Sequence, residues 1–273
     1  MPSRLLTVAR DFRPELVLVA KGETIHGETL KQIRKDQRCR IVNWFPDSRV
    51  FGYHRVIEQL PVLDLFFSKS ALDVERCRLI GLSNARFLQH CADRELHVEL
   101  QTSEQELKPY RCQLSVVGSF YPYRDQILQN VSDFDLRVWG PGWKQSGLYK
   151  RNPRTIVGRD ARSFDQAKVF RATDVNLNTH HYDDIDQLNQ RVFDIAGSGG
   201  CQIADGYRQF GPIFDSSSDI LTYKSLEELR SVIRFLLDRP EVRHRMGESC
   251  RRKVAEAHTY DHRVQEILNM LGF

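Results

Sequence analysis

The sequence predicts an α/β protein built from two doubly wound domains in tandem. Three observations carry this. The chain has 273 residues, too many for one small domain and enough for two of ordinary size. Short apolar runs alternate with helix-patterned segments through both halves, the signature of parallel sheets covered on both faces. Between the halves, residues 92–110 turn charged and polar and end near Pro109, which places a linker there.

The first half opens on a helix, Pro2 to Arg10, with Leu5, Leu6 and Ala9 on one face. Glu15 to Ala20 is a continuous apolar run closed by Lys21-Gly22, as expected of a buried parallel strand. Thr29 to Gln37 reads as a polar helix and Arg40 to Phe45 as the next strand, stopped by Pro46. A helix from Tyr53 to Leu60, a strand from Leu63 to Phe67, a helix from Leu72 to Ile80 ended by Gly81, and a strand at Ala85–Leu88 follow. An ordinary doubly wound domain opens with a strand and a glycine-rich turn, so the expectation is a first domain without its first strand–helix unit, either because the chain is a fragment or because the start is abbreviated.

The second half predicts strands at Leu114–Gly118, Asp135–Trp139, Thr155–Val157, Asp174–Asn178 and Cys201–Ala204. Helices fall between them at Tyr123–Val131, Phe164–Phe170 and Asn189–Ala196, the last broken by Gly197-Ser198-Gly199-Gly200. Leu226, Leu229, Val232, Ile233, Leu236 and Leu237 recur at steps of three and four, a helical stripe. Pro240 starts a further helix, and Val264, Ile267, Leu268 and Leu271 stripe the last one. The expected division is residues 1–108, 109–257 and a final helix over 258–273 that crosses back to the first domain.

A net charge of +4 does not describe a polybasic nucleic-acid binder, and the basic stretch Arg243 to Lys253 is interleaved with glutamates as a solvated helix face would be. No apolar run approaches the roughly 18 residues of a membrane span, so no transmembrane segment is expected. The six cysteines form no C-x-x-C pair, and several lie in apolar runs; they read as reduced, buried thiols of a cytoplasmic protein. The two D-x-D triplets, Asp133–Asp135 and Asp184–Asp186, do not suffice for a metal site, the first standing at the wrong end of its strand. No metal or other cofactor is expected.

In open parallel sheets, ligands bind at the carboxyl ends of the strands, so the residues that follow each strand of the second half are the candidates. Gly118 ends the first strand, and Arg124 stands at the next helix start, placed to bond a phosphate. Gly140-Pro141-Gly142-Trp143 follows the second strand; Gly142 suits a flat group lying close to backbone, or simply a tight turn. His180 follows Asn178-Thr179. Asn189 and Arg191 begin a helix in reach of a phosphate or sugar. Asp194 is an acid among apolar neighbours, in need of hydrogen-bond partners that ribose hydroxyls or a nearby Arg would supply.

Taken in order, Val116-Val117-Gly118-Ser119, Arg124, Trp139-Gly140-Pro141-Gly142-Trp143, Leu177-Asn178-Thr179-His180, the run Asn189 to Gly200, and His258-Thr259-Tyr260-Asp261-His262-Arg263 resemble the CgeB-like proteins and, with them, the group 1 glycosyltransferases. Lys21-Gly22, Asn43-Trp44-Phe45-Pro46-Asp47 and Asp93-Arg94-Glu95-Leu96-His97 extend the resemblance into the first half. It implies two Rossmann-like domains of the GT-B fold and a nucleotide-sugar donor held by the second. It also implies transfer of a hexosyl group to an acceptor (glycan, protein or small molecule) without a metal. The family's E-x7-E pair falls on Asp186 and Asp194, each one methylene shorter. By the same resemblance, Gly118, Arg124, Gly142, Lys168, Asn189, Asp194, Ser198 and Gly199 bind the donor. His180 and Arg191 lie near phosphate and sugar, and Asp47 is the acceptor-side polar group or base. The shortened acids leave a second reading open, a GT-B module that binds a nucleotide, a glycan or a partner protein without turnover.

Overall fold

The computed structural model describes residues 2–47, 49–181, 187–205, 210–211 and 213–273. The chain forms two compact units, Met1–His90 and Cys91–Phe273.

In the first unit, helices α1 (Pro2–Phe12), α2 (Gly27–Gln37), α3 (His54–Gln59) and α4 (Ala71–Leu79) alternate with strands β1 (Leu16–Ala20), β2 (Arg40–Phe45), β3 (Leu65–Ser68) and β4 (Ala85–Phe87). All pairings are parallel, in the order β1-β2-β3-β4. Ile41, Val42, Phe45, Phe66 and Phe67 of the inner strands are buried, as strands covered on both faces require. Edge strand β1 leaves Leu18 exposed. Asp64 fastens β2 to its surroundings, accepting from Ile41 N (2.7 Å) and Arg40 Nη1 (3.0 Å) and pairing with Arg34. The turn after β1 is shaped from inside: Asn43 Nδ2 donates to Lys21 O and Gln59 Oε1, while Gln59 Nε2 donates to Gly22 O and Ile25 O.

The second unit opens on a π-helical turn, Arg94–Val98, and helix α5 (Glu104–Leu107). Then come β5 (Leu114–Val117), α6 (Pro122–Gln129), β6 (Leu136–Trp139), α7 (Gly147–Arg151), α8 (Phe164–Ala172), β7 (Val175–Asn178), α9 (Gln190–Gly197), β8 (Gln202–Asp205) and β9 (Leu221–Tyr223). Helices α10 (Leu226–Leu237), α11 (Pro240–Ala257) and α12 (Tyr260–Leu271) close the chain. The parallel sheet has the order β6-β5-β7-β8-β9. Its core gathers Leu114, Val116, Val138, Leu177 and Ile203 from the strands with Leu128, Leu229, Ile233 and Leu236 from the helices.

Four features depart from the sequence expectation. The strand expected at Thr155–Val157 is reduced to a bridge between Val138 and Ile156, after a 3₁₀ turn at Pro153–Thr155. Strand β9 and helix α7 carry too few residues for a periodic signal. Helix α7 is set by capping instead: Ser146 accepts from Tyr149 N, and Asp125 of α6 accepts from Gly147 N and Leu148 N. Residues 92–110, read as a linker, are largely helical, and the π-helical turn packs on α8, α9 and α11. The start of α12 is tied to the same stretch, with Tyr260 N on Ala92 O, Ala92 N on His258 O, and Arg94 on Asp261.

Candidate functional site

Strand β5 is where the sheet of the second unit changes direction. Strand β6 lies on one side of it, and β7, β8 and β9 are added on the other. A parallel sheet opens a crevice beyond the carboxyl ends of its strands at such a switch point. Gly118 stands there. Its N–H donates to Trp139 O and its carbonyl accepts from Trp143 Nε1, both at 2.8 Å. Gly140, at φ +133°, lies so close that a β-carbon on it would sit 2.3 Å from Gly118 O, which admits glycine alone. The turns after β5 and β6 are thus pressed into one floor, joined further by Phe120 N donating to Pro141 O.

Two guanidinium groups converge on Gly118. A β-carbon there would lie 2.9 Å from Arg124 Nη1 and 3.2 Å from Arg191 Nη2. Arg124 comes from the first turn of α6 and is buried; Arg191 comes from the first turn of α9 and is half-buried. Arg124 donates from Nε to Thr179 Oγ1 (2.6 Å), from Nη2 to Thr179 O (2.9 Å) and from Nη1 to Ser119 O (2.5 Å), and it rests on the Tyr121 ring at 5.0 Å. These hydrogen-bond acceptors are neutral. Burial, reinforced by the neighbouring Arg191 cation, pushes the Arg124 pKa down to about 9. A buried cation held by neutral acceptors beside a second cation has positive potential to spare, and an anion at Gly118 would relieve it.

His180 is the next residue beyond Thr179. Its side chain is fully buried, and its Nδ1 lies 2.5 Å from Asp205 Oδ1 at the end of β8. The ring meets Phe210 edge-on, with centroids 6.2 Å apart. Its Nε2 is buried with no hydrogen-bond partner among the described residues. A carboxylate on one ring nitrogen fixes tautomer and orientation and leaves the other nitrogen for a ligand. Sequence reasoning missed Asp205, whose signal was its position as the last residue of a strand in the same sheet.

Helix α9 is anchored at its start by Asn189. Its Oδ1 caps Val192 N at 3.1 Å, and its amide is doubly bonded to that of Asn178 at the end of β7 (3.1 and 3.2 Å). That pair fixes where Arg191 emerges. Asp194, on another face of α9, is buried. Its Oδ1 accepts from Gln190 Nε2 at 2.8 Å and lies 3.9 Å from His97 Nε2 of the π-helical turn. Burial raises its pKa, against the pull of His97 and the Gln190 bond.

The other expected residues are placed differently. Ser198 and Gly199 sit at the carboxyl end of α9, remote from Arg191, and close the helix: Ser198 Oγ donates to Asp194 O, and Gly199 has φ +72°. Gly247 of α11 packs so tightly there that its β-carbon would meet Gly199 O at 2.1 Å. Gly142, at φ +84°, caps a 3₁₀ turn beside Phe120. Lys168 of α8 is paired with Glu106 at 2.9 Å, and no described contact joins it to Arg124, Arg191 or Gly118. Asp47, in the first unit, pairs with Lys21 at 2.8 Å beyond the ends of β1 and β2; Asp47, then Glu23, hold that ammonium above its usual pKa. Asp186, with the second D-x-D triplet, lies outside the described residues. Asp133 of the first triplet is held by Arg230 through two 2.7 Å bonds.

Among the described residues, no group of three or more His, Cys, Asp or Glu is arranged for a metal, and no helix is long and apolar enough to cross a membrane. The family model described as glycosyl transferase-like matches residues 124–269, just over half of the chain. The spore protein CgeB of Bacillus subtilis (strain 168) is 19% identical over 266 residues, covering 92% of this chain and 80% of CgeB. Among solved structures, the chain is similar to sucrose-phosphate synthase from Thermosynechococcus elongatus (TM-score 0.68, 13% identity, 99% of this chain and 76% of that one). It is similar to Anabaena HepE in complex with UDP-glucose (TM-score 0.69, 11% identity, 99% and 81%). An alpha-glucosyltransferase in complex with UDP and a 13-mer DNA containing a HMU base gives a TM-score of 0.70 at 10% identity, over 100% and 83%. These likenesses show a shared two-domain, Rossmann-like fold.

Proposed function

The chain belongs to the glycosyl transferase-like family, and we propose that it transfers a hexosyl group from a nucleoside-diphosphate sugar to an acceptor. The convergence of Arg124 and Arg191 on Gly118 is the observation that carries this reading. Departure of the nucleoside diphosphate breaks the bond between the sugar C1 and the β-phosphate oxygen. The electron pair leaves with the phosphate, and an acceptor oxygen bonds to C1. Negative charge grows on the diphosphate as this happens. Preorganised cations in a desolvated site stabilise such charge more than flexible, hydrated ones. The two arginines fill that role without a metal in this proposal. UDP or UDP-glucose in the crystal structures of HepE supports a nucleotide-sugar donor.

His180, oriented by Asp205, is proposed to bond the donor through Nε2. Asp194 is proposed to face the ribose, with Gln190 and His97 as its present neighbours. The acceptor-side group in this proposal remains Asp47, the partner of Lys21, and the acceptor's proton would pass to its carboxylate. All six cysteines are free and buried, which supports the reducing cytoplasm as the proposed location.

The test is thermal unfolding against a panel of nucleoside diphosphates and their sugars, with and without EDTA. A ligand at 100 times its Kd is expected to add about 2.7 kcal/mol, read as a rise of several degrees. One base class should give the shift, unchanged by EDTA. No shift with any of them overturns the reading, and a shift without sugar release in any acceptor mixture favours the module that binds without turnover. For the buried pair, Asp205→Asn is expected to lower kcat about 10²-fold with KM nearly unchanged, by releasing the His180 tautomer. An Asp205→Asn enzyme with wild-type kcat would leave the pair a purely structural role.

A further inference from the structure

The segment 144–162 holds Lys144, Lys150, Arg151, Arg154, Arg159 and Arg162 against one carboxylate, Asp160. Its cationic surplus exceeds the +4 of the whole chain, so the remaining residues are together slightly acidic. All six cations are exposed.

Their placement is fixed by the fold. The segment leaves the Gly140–Trp143 turn at the carboxyl end of β6. It forms α7, capped by Ser146 and Asp125, and returns beside β6, with Ile156 bridged to Val138 and Val157 N donating to Val138 O at 3.0 Å. It therefore lines the edge of the sheet whose strand ends form the site.

Local structure uses only part of this charge. Arg162 pairs with Asp160 at 2.6 Å, and Arg159 lies 6.0 Å from the centre of the Tyr110 ring. Lys150 and Arg151 close α7, where cations complement the last carbonyls. Among the described residues, Lys144, Lys150, Arg151 and Arg154 form no ion pair. Six exposed cations with one carboxylate among them on a single segment present a surface that a polyanion complements. The exposed large apolar side chains of the chain lie elsewhere, the nearest in sequence being Phe164, so the edge offers no apolar wedge for a bilayer. Tyr149 is the single aromatic residue among positions 144–162, too few for a platform on which successive bases stack.

We infer that this edge binds an acceptor glycan carrying repeated carboxylate or phosphate groups, and so selects an anionic polymer for the transferase. The word acceptor rests on the function proposed above, but the binding does not. Failure of the nucleotide panel would leave this surface untouched, and failure here would leave the donor site standing.

Binding of the full chain to polygalacturonate, with neutral dextran as the control, tests it. Wild type is expected to bind polygalacturonate and not dextran, and to lose most of its affinity between about 50 and 200 mM salt. Lys150→Glu/Arg151→Glu/Arg154→Glu should weaken binding at least about ten-fold, and its log–log salt slope should fall by about one for each cation that no longer meets the polymer. Its UDP-induced thermal shift should equal that of wild type. The milder Lys144→Gln/Arg154→Gln variant should fall between the two. Absence of polygalacturonate binding by wild type, unchanged binding by the charge-reversed variant, or tighter binding to a single-stranded oligonucleotide or to anionic lipid vesicles would each overturn the inference.

Discussion

Replacing Arg124 by alanine is expected to lower kcat/KM by about 10²–10³-fold, the usual cost of removing one preorganised donor to a developing oxyanion. The guanidinium is buried, bonded to Thr179 and Ser119, and aimed at Gly118. Its removal takes positive charge from the place where the diphosphate departs. It also leaves Thr179 O and Ser119 O without these donors, at roughly 1–3 kcal/mol for each group left unsatisfied. Relief of the desolvated cation offsets part of that. Arg124→Lys should recover a minor share of activity, because an ammonium cannot reproduce the fork that spans Thr179 and Ser119. Arg191→Ala is expected to act in the same direction. The double variant should lose less than the product of the single losses, since the two guanidiniums act as one unit on the same leaving group at Gly118. Steady-state kinetics and a UDP titration on folded variants decide the matter; wild-type turnover by Arg124→Ala would remove Arg124 from the chemistry.

Asp194 is expected to show a trade of stability for binding. Burial lifts its folded pKa above the carboxyl's ordinary 3.8, so the folded protein holds this proton more tightly than the unfolded chain. The stabilisation is fully present below pH 3.8 and is lost as pH rises through the higher folded value. Near neutral pH the burial of this carboxyl costs stability, because the unfolded chain ionises it in water and the folded protein desolvates it. Asp194→Asn keeps the shape and removes that cost. It should raise stability at neutral pH by roughly 1–3 kcal/mol and steepen the acid limb of a Tm-versus-pH series, because the stabilisation that the Asp194 proton adds at low pH is gone. If Asp194 bonds the ribose, the same variant should weaken donor binding by about 1–3 kcal/mol. A variant that is more stable and binds donor as tightly as wild type would leave Asp194 without a ligand. A variant that is less stable would show that Gln190 and His97 already compensate the charge.

Much of the scaffold was legible in the chain. Strand β2 runs from Arg40 to Phe45 as its pattern and Pro46 indicate. The helix expected from Asn189 runs from Gln190, with Asn189 as its cap. The ordered motifs that resemble CgeB-like proteins fall on a chain that matches the glycosyl transferase-like model and CgeB itself. What stayed hidden depends on partners distant in sequence. Nothing near His180 announces Asp205, because parallel neighbours β7 and β8 are separated by a helix. Lys168 is claimed by Glu106 from a stretch that looked like a linker. Ser198 and Gly199, which the resemblance assigns to the donor, stand at a helix end, where Gly247 presses on Gly199 from a helix distant in sequence.

The strand order of the two sheets bears on how each is assembled. In the first unit every strand pairs with the one just made: Leu16 with Arg40, Val42 with Leu65, Phe66 with Ala85. No position is held vacant for a later arrival, so the sheet can grow by stepwise addition, each step closing a loop about one helix long at modest entropic cost. In the second unit β5 must pair with both β6 and β7, and Leu114 meets Val175 only after the whole β6 excursion has been synthesised. That pairing has the larger sequence separation and sets the slower closure. The crevice between Gly118 and Arg191 therefore forms with the late long-range contacts of its unit, and the helix-by-helix sheet of residues 1–90 can condense before it.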